Sequence, residues 1–147
     1  LSFDLQLIPE LMGKTADLLA RASDTAVALC HAGSPHDRSN DGLPRWADEL
    51  RALSDLPQVS CKLSGLGMFD HDWQPEGFRP IVETCLDQFS PSRVMFGSNF
   101  PVDKLYSDYA TLAKTYRDLV PREMHQAVFN DTAADFYCKR FTRTILH

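Results

Sequence analysis

Four short apolar runs alternate with segments of helical spacing along the chain. The runs occupy residues 1–7, 25–30, 59–63 and 93–96. Strands that alternate with helices pair in parallel through right-handed crossovers. The sequence therefore predicts an α/β fold of four βα units with parallel strands. Two architectures fit this order, a small doubly wound sheet or half of an eight-stranded barrel.

The composition is that of an ordinary folded domain. Of the 147 residues, 44% are hydrophobic and 24% are charged, and the net charge is -5. Lys and Arg are scattered, which argues against a nucleic-acid partner, and no run approaches the roughly 20 apolar residues that span a bilayer. We expect one domain over residues 1–138 that acts on a small molecule, followed by a basic tail over residues 139–147. Because the chain opens without Met, in a strand-like run, we expect it to be part of a longer polypeptide.

The four cysteines, Cys30, Cys61, Cys85 and Cys138, form no CxxC pair. This spacing makes a zinc finger or a redox motif a weak interpretation. Apolar neighbours favour buried, reduced thiols, which are typical of a cytoplasmic protein.

A histidine directly follows the second apolar run. His31 comes after the residues VALC and before Ala32 and Gly33. Ligands bind at the carboxyl ends of parallel strands, so an imidazole here can bind a metal, transfer a proton or donate to a substrate carbonyl. The alternative is a loop histidine whose ring is satisfied by the backbone.

The third run ends in a charged residue and a hydroxyl. Strand alternation places Lys62 and Ser64 on one face, opposite Cys61 and Leu63. If that face is the barrel interior, both side chains line a pocket at the strand ends. The alternative for Lys62 is an exposed position at an edge.

The fourth run is followed by an amide and a carboxylate in the segment GSNFPVD. The small residues Gly97 and Ser98 allow a tight turn that presents Asn99 at the strand end. An amide can orient a water or a ligand but is a poor general base. Asp103 has the chemistry of a base, although it is equally suited to capping the next helix.

Three further residues are candidates for binding substrate. Asp4 and Gln6 share one face of the first run, and Arg38 lies in the polar loop after His31. Solvated loop charges are a common alternative for Arg38.

Five segments together resemble one protein family. They are LSFDLQLIP (1–9), CHAGSP (30–35), KLSGLG (62–67), RVMFGSNFPVD (93–103) and VFNDTAADFY (128–137). In this order they resemble the amidohydrolase-related, predicted metal-dependent hydrolases with a TIM-barrel fold, a branch that includes sugar-lactone and aromatic-lactone hydrolases. The resemblance implies the C-terminal half of a (β/α)8 TIM barrel, with the four runs as strands five to eight.

The resemblance also implies roles for single residues. His31 occupies the position of the strand-six histidine, a metal or substrate ligand in relatives. Asn99 stands at the strand-eight position, where most of the superfamily has an Asp that deprotonates the attacking water. Asp4 and Gln6 stand where a strand-five histidine is usual, and the strand-one histidine pair has no counterpart in this chain.

A divalent metal such as zinc is a cofactor that the resemblance implies. A catalytic zinc takes about three protein ligands, and this chain offers one good ligand, His31. We therefore do not expect this chain alone to hold a metal tightly. Lys62, Arg38 and His31 are alternative groups for polarising a carbonyl.

The favoured function is hydrolysis of a lactone or related cyclic ester or amide by water attack on a carbonyl. The catalytic candidates are His31, Asn99 and Asp103. The alternative is a non-catalytic half barrel that associates with itself or another subunit through its open edges. A nucleotide-binding domain is disfavoured because neither GxGxxG nor GxxxxGK[ST] occurs.

Overall fold

The structure is a computed structural model that describes residues 1–138. Its sheet has four strands, β1 (Ser2–Leu5), β2 (Ala26–Leu29), β3 (Val59–Leu63) and β4 (Val94–Phe96). All neighbours pair in parallel, in the order β1-β2-β3-β4. The predicted four parallel strands are confirmed. The expected basic tail, residues 139–147, lies outside the described residues.

Helices follow the strands in turn: α1 (Met12–Leu19), α2 (Gly42–Ser54), α3 (Pro75–Phe89) and α4 (Tyr109–Leu119). Short 3₁₀ turns occupy Pro9–Leu11, Cys30–Gly33, Leu66–Phe69, Pro91–Arg93, Val102–Leu105 and Arg122–Met124. The last helical stretch has π-type hydrogen bonding at Ala127–Asp131 and Ala134–Cys138. No helix within residues 1–138 is long and apolar enough to cross a membrane.

Local sequence explains where the helices begin. Pro75 starts α3, where its missing N–H is not needed. Asp108 caps α4, because its side chain accepts a hydrogen bond from the Thr111 backbone N–H at 2.9 Å. In and just before α1, Met12 and Leu19 are buried, whereas Leu11 and Leu18 are 46% and 65% exposed.

The helices cover one face of the sheet, which decides between the two predicted architectures. Val27, Leu29, Cys61, Leu63 and Val94 point to this face and form one core with buried side chains of all four helices. A doubly wound sheet has crossover helices on both faces and reverses its strand order, whereas here α1 to α4 all pack on one face and the strand order does not reverse. The fold is an α/β half barrel, with the core on the side that is outside a complete barrel.

The opposite face, which we call the inner face, carries small and polar side chains. Ala26 and Ala28 of β2 and Met95 of β4 lie there, packed against Phe136 of the last helical stretch. Lys62 of β3 also points to this side, as strand alternation predicts. The C-terminal stretch therefore crosses from the helical layer to the inner face.

Large exposed hydrophobic side chains within residues 1–138 are confined to the two ends of the sheet. Those of Leu1, Phe3, Ile8, Leu11 and Leu18 belong to the first βα unit, and those of Val102, Leu105 and Tyr109 follow β4. The two middle units contribute none of them. Both ends are the open edges of the half barrel, and association through them stays a prediction.

Candidate active site

Because the strands are parallel, the segments that follow them meet at one edge of the sheet, which we call the rim. The segment after β2 forms a left-handed turn there. His31, Ala32 and Ser34 have φ values of 56°, 51° and 57°, and Gly33 has 69°. A non-glycine residue in this region costs on the order of 1–3 kcal/mol, and such residues cluster at functional sites. The turn is held by the indole N–H of Trp46, which donates to the Ala32 carbonyl oxygen at 2.8 Å.

The His31 ring lies against Ser64, at the end of β3. The distance from His31 Nδ1 to Ser64 Oγ is 3.0 Å, and the His31 backbone N–H donates to the same oxygen at 3.3 Å. Ser64 Oγ thus accepts the backbone bond and has its own O–H to donate to Nδ1. In the tautomer whose Nδ1 accepts from Ser64, the ring proton lies on Nε2, where it is available as a donor. Burial lowers the pKa of His31, which favours the neutral ring.

Asn99 is presented by a second left-handed residue, with a φ of 56°. Its Nδ2 donates to Asp103 Oδ1 at 2.8 Å and contacts Met68 Sδ at 3.3 Å. These contacts occupy the amide NH₂ and leave Oδ1 as the acceptor that faces away from Asp103.

Asp103 lies behind Asn99 rather than at the rim. Its side chain is buried, with 1% of the residue exposed, and its Oδ2 has no hydrogen-bond partner among residues 1–138. Burial raises the pKa of Asp103, although Asn99 and His31 favour the ionised form. Asp103 does not cap α4, which Asp108 caps, but it lies in the first turn of the short 3₁₀ segment Val102–Leu105.

The loop from Ser64 to Met68 connects the surroundings of His31 with those of Asn99. Ser64 contacts His31, and Met68, four residues on, contacts Asn99. Gly65 lies between them with a φ of +62°, and a Cβ added there would lie 2.5 Å from His31 Nδ1 and 2.8 Å from Met68 Cε. Only glycine fits this position without displacing both neighbours. The loop therefore sets the spacing of His31 and Asn99, which lie 68 positions apart in the sequence.

A second polar cluster lies on the inner face beside the rim. Lys62 Nζ donates to Asp4 Oδ2 at 2.9 Å, and Tyr137 OH donates to Asp4 Oδ1 at 2.5 Å. Burial raises the pKa of Asp4, but the bonds from Tyr137 and Lys62 outweigh it and lower that pKa overall. The predicted pocket residues Asp4 and Lys62 are thus brought together as an ion pair. Nothing in the sequence pattern points to Tyr137, because it lies 133 positions from Asp4.

The two other predicted binding residues are not part of either cluster. Arg38 turns beneath the rim, where Nη2 donates to the Leu66 carbonyl oxygen at 2.5 Å and the guanidinium lies 5.5 Å from the centre of the Phe78 ring. It therefore joins two loops rather than facing a substrate. Gln6 follows the end of β1 and is exposed.

The described residues do not by themselves fit a catalytic metal. Within residues 1–138 no three His, Cys, Asp or Glu side chains are grouped to hold an ion. His31 is the one imidazole in the cluster, Asn99 has an amide where a ligand or base is usual, and Asp103 is bonded to that amide. About three ligands are needed, so any further ones must come from outside the described residues.

Comparison with known proteins identifies the family. The profile of the amidohydrolase family matches residues 1–138. The chain belongs to this family. It is 36% identical over 140 residues to the protein y4mH of Sinorhizobium fredii, a match that covers 93% of this chain and 47% of that protein. It is 34% identical over 151 residues to an L-fucono-1,5-lactonase of Burkholderia multivorans, covering 92% of this chain and 50% of that enzyme.

Solved amidohydrolase structures share the fold. Two crystal structures of an amidohydrolase from Burkholderia multivorans, one with HEPES bound and one with zinc bound, superpose with TM-scores of 0.84 and 0.83. Both are 31% identical in sequence and are matched over 92% of this chain and 52% of theirs. This chain spans about half the length of the curated relatives it matches. The half barrel is therefore equivalent to about half of an amidohydrolase barrel.

Proposed function

We propose that this chain supplies part of the active site of a hydrolase that opens a lactone or a related cyclic ester or amide. The observation that supports this most strongly is that one loop, from Ser64 to Met68, contacts both His31 and Asn99 at the rim. In open and closed parallel α/β folds, the carboxyl ends of the strands are where substrates bind. The lactonase relative is consistent with the same reaction class.

His31 acts as the hydrogen-bond donor to the carbonyl. With Nδ1 accepting from Ser64, the Nε2 proton can be directed at the substrate oxygen. A donor that is already fixed in place stabilises the negative charge that develops on this oxygen when water attacks. Removing one such donor typically reduces kcat by about 10²–10³.

Asn99 positions the attacking water. Its NH₂ is engaged by Asp103 and Met68, so its carbonyl oxygen is the group that accepts a hydrogen bond from water. In the reaction, the water oxygen bonds to the carbonyl carbon and the ring C–O or C–N bond breaks. The leaving oxygen or nitrogen keeps its electron pair and takes the proton that the attacking water loses, so that one water is consumed and a ring-opened acid remains.

The inner-face cluster favours an uncharged, hydroxyl-rich ring as substrate. Lys62 is the cation of this cluster, and its ion pair with Asp4 already compensates that charge. Asp4, Lys62 and Tyr137 instead offer acceptors and donors that suit hydroxyl groups. A sugar lactone has this chemistry. We place the protein in the cytoplasm, where buried thiols such as those of Cys61 and Cys85 stay reduced.

The test is a lactone-hydrolysis assay of the full-length protein, with L-fucono-1,5-lactone as the probe. We expect His31→Ala to lower kcat by at least about 100-fold, because the carbonyl donor is removed. Lys14→Ala, an exposed substitution on α1, is the control and keeps the activity of the unmodified protein. A His31→Ala protein that is folded and fully active would remove His31 from the mechanism. An unmodified protein that opens no sugar lactone would contradict the proposed function itself.

A further inference from the structure

The side chain of Asn99 is bound on one side only. Its Nδ2 donates to Asp103 Oδ1 at 2.8 Å and contacts Met68 Sδ at 3.3 Å, whereas no such contact to its Oδ1 occurs among the described residues. An amide has donors at one end and an acceptor at the other, so its rotation by 180° exchanges their positions. The chemistry of its neighbours therefore decides which end faces the rim.

Asp103 is the neighbour that decides the orientation. An ionised carboxylate only accepts hydrogen bonds, so it binds the NH₂ end and repels the oxygen end of the amide. A thioether is a weak acceptor, so Met68 alone would restrain the amide far less. The backbone also ties the two residues, because the Asp103 N–H donates to the Asn99 carbonyl oxygen at 3.2 Å.

Burial of the Asp103 carboxylate costs stability, and formation of a turn alone does not explain that cost. The residue is 1% exposed, and its Oδ2 has no hydrogen-bond partner in residues 1–138. A buried carboxylate that is only partly satisfied destabilises a fold, so such a group calls for a specific explanation. Since Asp108 caps the next helix, helix capping does not provide one.

We propose that Asp103 is a positioning residue, which holds the Asn99 amide with its carbonyl oxygen toward the attacking water. This inference rests on the proposed function for its effect on catalysis. It assigns the carboxylate a role through Asn99, instead of the direct role as a base that the sequence suggests. Both oxygens of a carboxylate accept a hydrogen bond from water, so a carboxylate at this strand end would need no orienting partner. An amide has one acceptor oxygen, and Asp103 explains how that oxygen is kept toward the water.

The first test observes the amide directly by NMR, without any substrate. We expect the side-chain amide protons of Asn99 to exchange with water at least about 10-fold more slowly than those of the exposed Asn40. In Asp103→Leu, which removes the acceptor, this protection is lost. Equal exchange at Asn99 and Asn40 in the unmodified protein, or protection that survives in Asp103→Leu, would overturn the proposal.

The second test is kinetic and uses the isosteric Asp103→Asn. An amide at position 103 offers a donor as well as an acceptor, so it no longer selects one orientation of Asn99. We expect kcat to fall by about 10- to 100-fold with KM changed less than about threefold, since the water and not the bound substrate loses its place. Asp118→Asn, at an exposed ion pair with Lys114 on α4, is the matched control and stays within twofold of the unmodified protein.

An exchange of the two side chains separates positioning from mere packing. In Asn99→Asp/Asp103→Asn, the new amide at position 103 donates to a carboxylate at position 99, and either carboxylate oxygen accepts from water. We expect the double variant to recover at least about 10-fold of the kcat that Asp103→Asn loses. A double variant no more active than Asp103→Asn would overturn the proposal. If the unmodified protein opened no lactone, the proposed function would fail, while the NMR test would still decide whether Asp103 orients Asn99.

Discussion

At the scale of single residues, the site depends on backbone conformations that ordinary side chains avoid. His31 and Asn99 both lie in the left-handed region, each in the segment that follows a strand. Isolated chains seldom hold such residues there, since each costs on the order of 1–3 kcal/mol. Here the bonds from Trp46 to Ala32 and from Asn99 to Asp103 fix the two turns. The strained backbone at His31 and Asn99 is therefore stabilised by side-chain hydrogen bonds from neighbouring residues.

Gly65 is the residue at which this dependence is easiest to measure. In Gly65→Ala, a methyl group would lie 2.5 Å from His31 Nδ1 at a φ of +62°. We expect the free energy of unfolding to fall by about 1–3 kcal/mol and kcat to fall together with it, because the His31 ring must move. Urea unfolding and the lactone assay measure the two effects.

Gly77→Ala provides the matched control for this substitution. Gly77 lies in α3, and a Cβ there meets nothing closer than 3.9 Å. Alanine is favoured over glycine in a helix, so we expect a stability gain of up to about 1 kcal/mol and unchanged kcat. A Gly65→Ala protein that matches this control in both properties would show that Gly65 does not set the position of His31.

At the scale of secondary-structure elements, one polar cluster ties β1, β3 and the C-terminal helical stretch together. Asp4, Lys62 and Tyr137 each come from a different element and bond to one another. Burial of Tyr137, with its bond to Asp4, raises the pKa of its phenol to about 12. The cluster closes the inner face over the small side chains of Ala26 and Ala28.

The pH dependence of stability tests this cluster. Bonds from Tyr137 and Lys62 outweigh burial and lower the pKa of Asp4 below its usual 3.8. A carboxyl whose folded pKa is depressed stabilises the fold above the unfolded pKa, and this contribution disappears as pH falls through the folded value. We therefore expect Asp4→Asn to unfold more easily than the unmodified protein at pH 6, and the difference to vanish toward pH 2.

The size of this effect is limited by solvent. The Asp4 side chain is 44% exposed, so we expect a difference below about 1 kcal/mol at pH 6. Urea unfolding at a series of pH values measures it, with the exposed Asp17→Asn on α1 as the control. If the stability difference between Asp4→Asn and the unmodified protein stayed constant or grew as the pH fell, the bonds from Tyr137 and Lys62 would not be what lowers the pKa of Asp4.

The sequence predicts elements better than it predicts their exact ends. Alternating apolar runs and helical spacing are enough for four parallel strands, and β3 lies at the predicted residues. The first run is shorter than predicted, because β1 ends at Leu5 where pairing with β2 ends. The π-type hydrogen bonding of the last stretch has no signature in its apolar spacing, which resembles that of ordinary helices.

At the scale of the whole molecule, parallel strand order brings distant residues to one rim. The sequence allows His31, Ser64 and Asn99 to be placed there, since each follows a strand. It does not reveal that Asp103 turns behind Asn99, or that Arg38 turns beneath the Leu66 loop. Those placements depend on side-chain contacts between separate loops, which no local pattern encodes.

A double-mutant cycle tests the central claim, that His31 and Asn99 act together on one substrate. It compares kcat/KM for L-fucono-1,5-lactone in His31→Ala, Asn99→Ala and the double variant. Residues that act as a unit show strongly non-additive effects, so we predict that the double variant loses far less than the product of the two single losses. Losses that multiply without coupling would contradict the shared site.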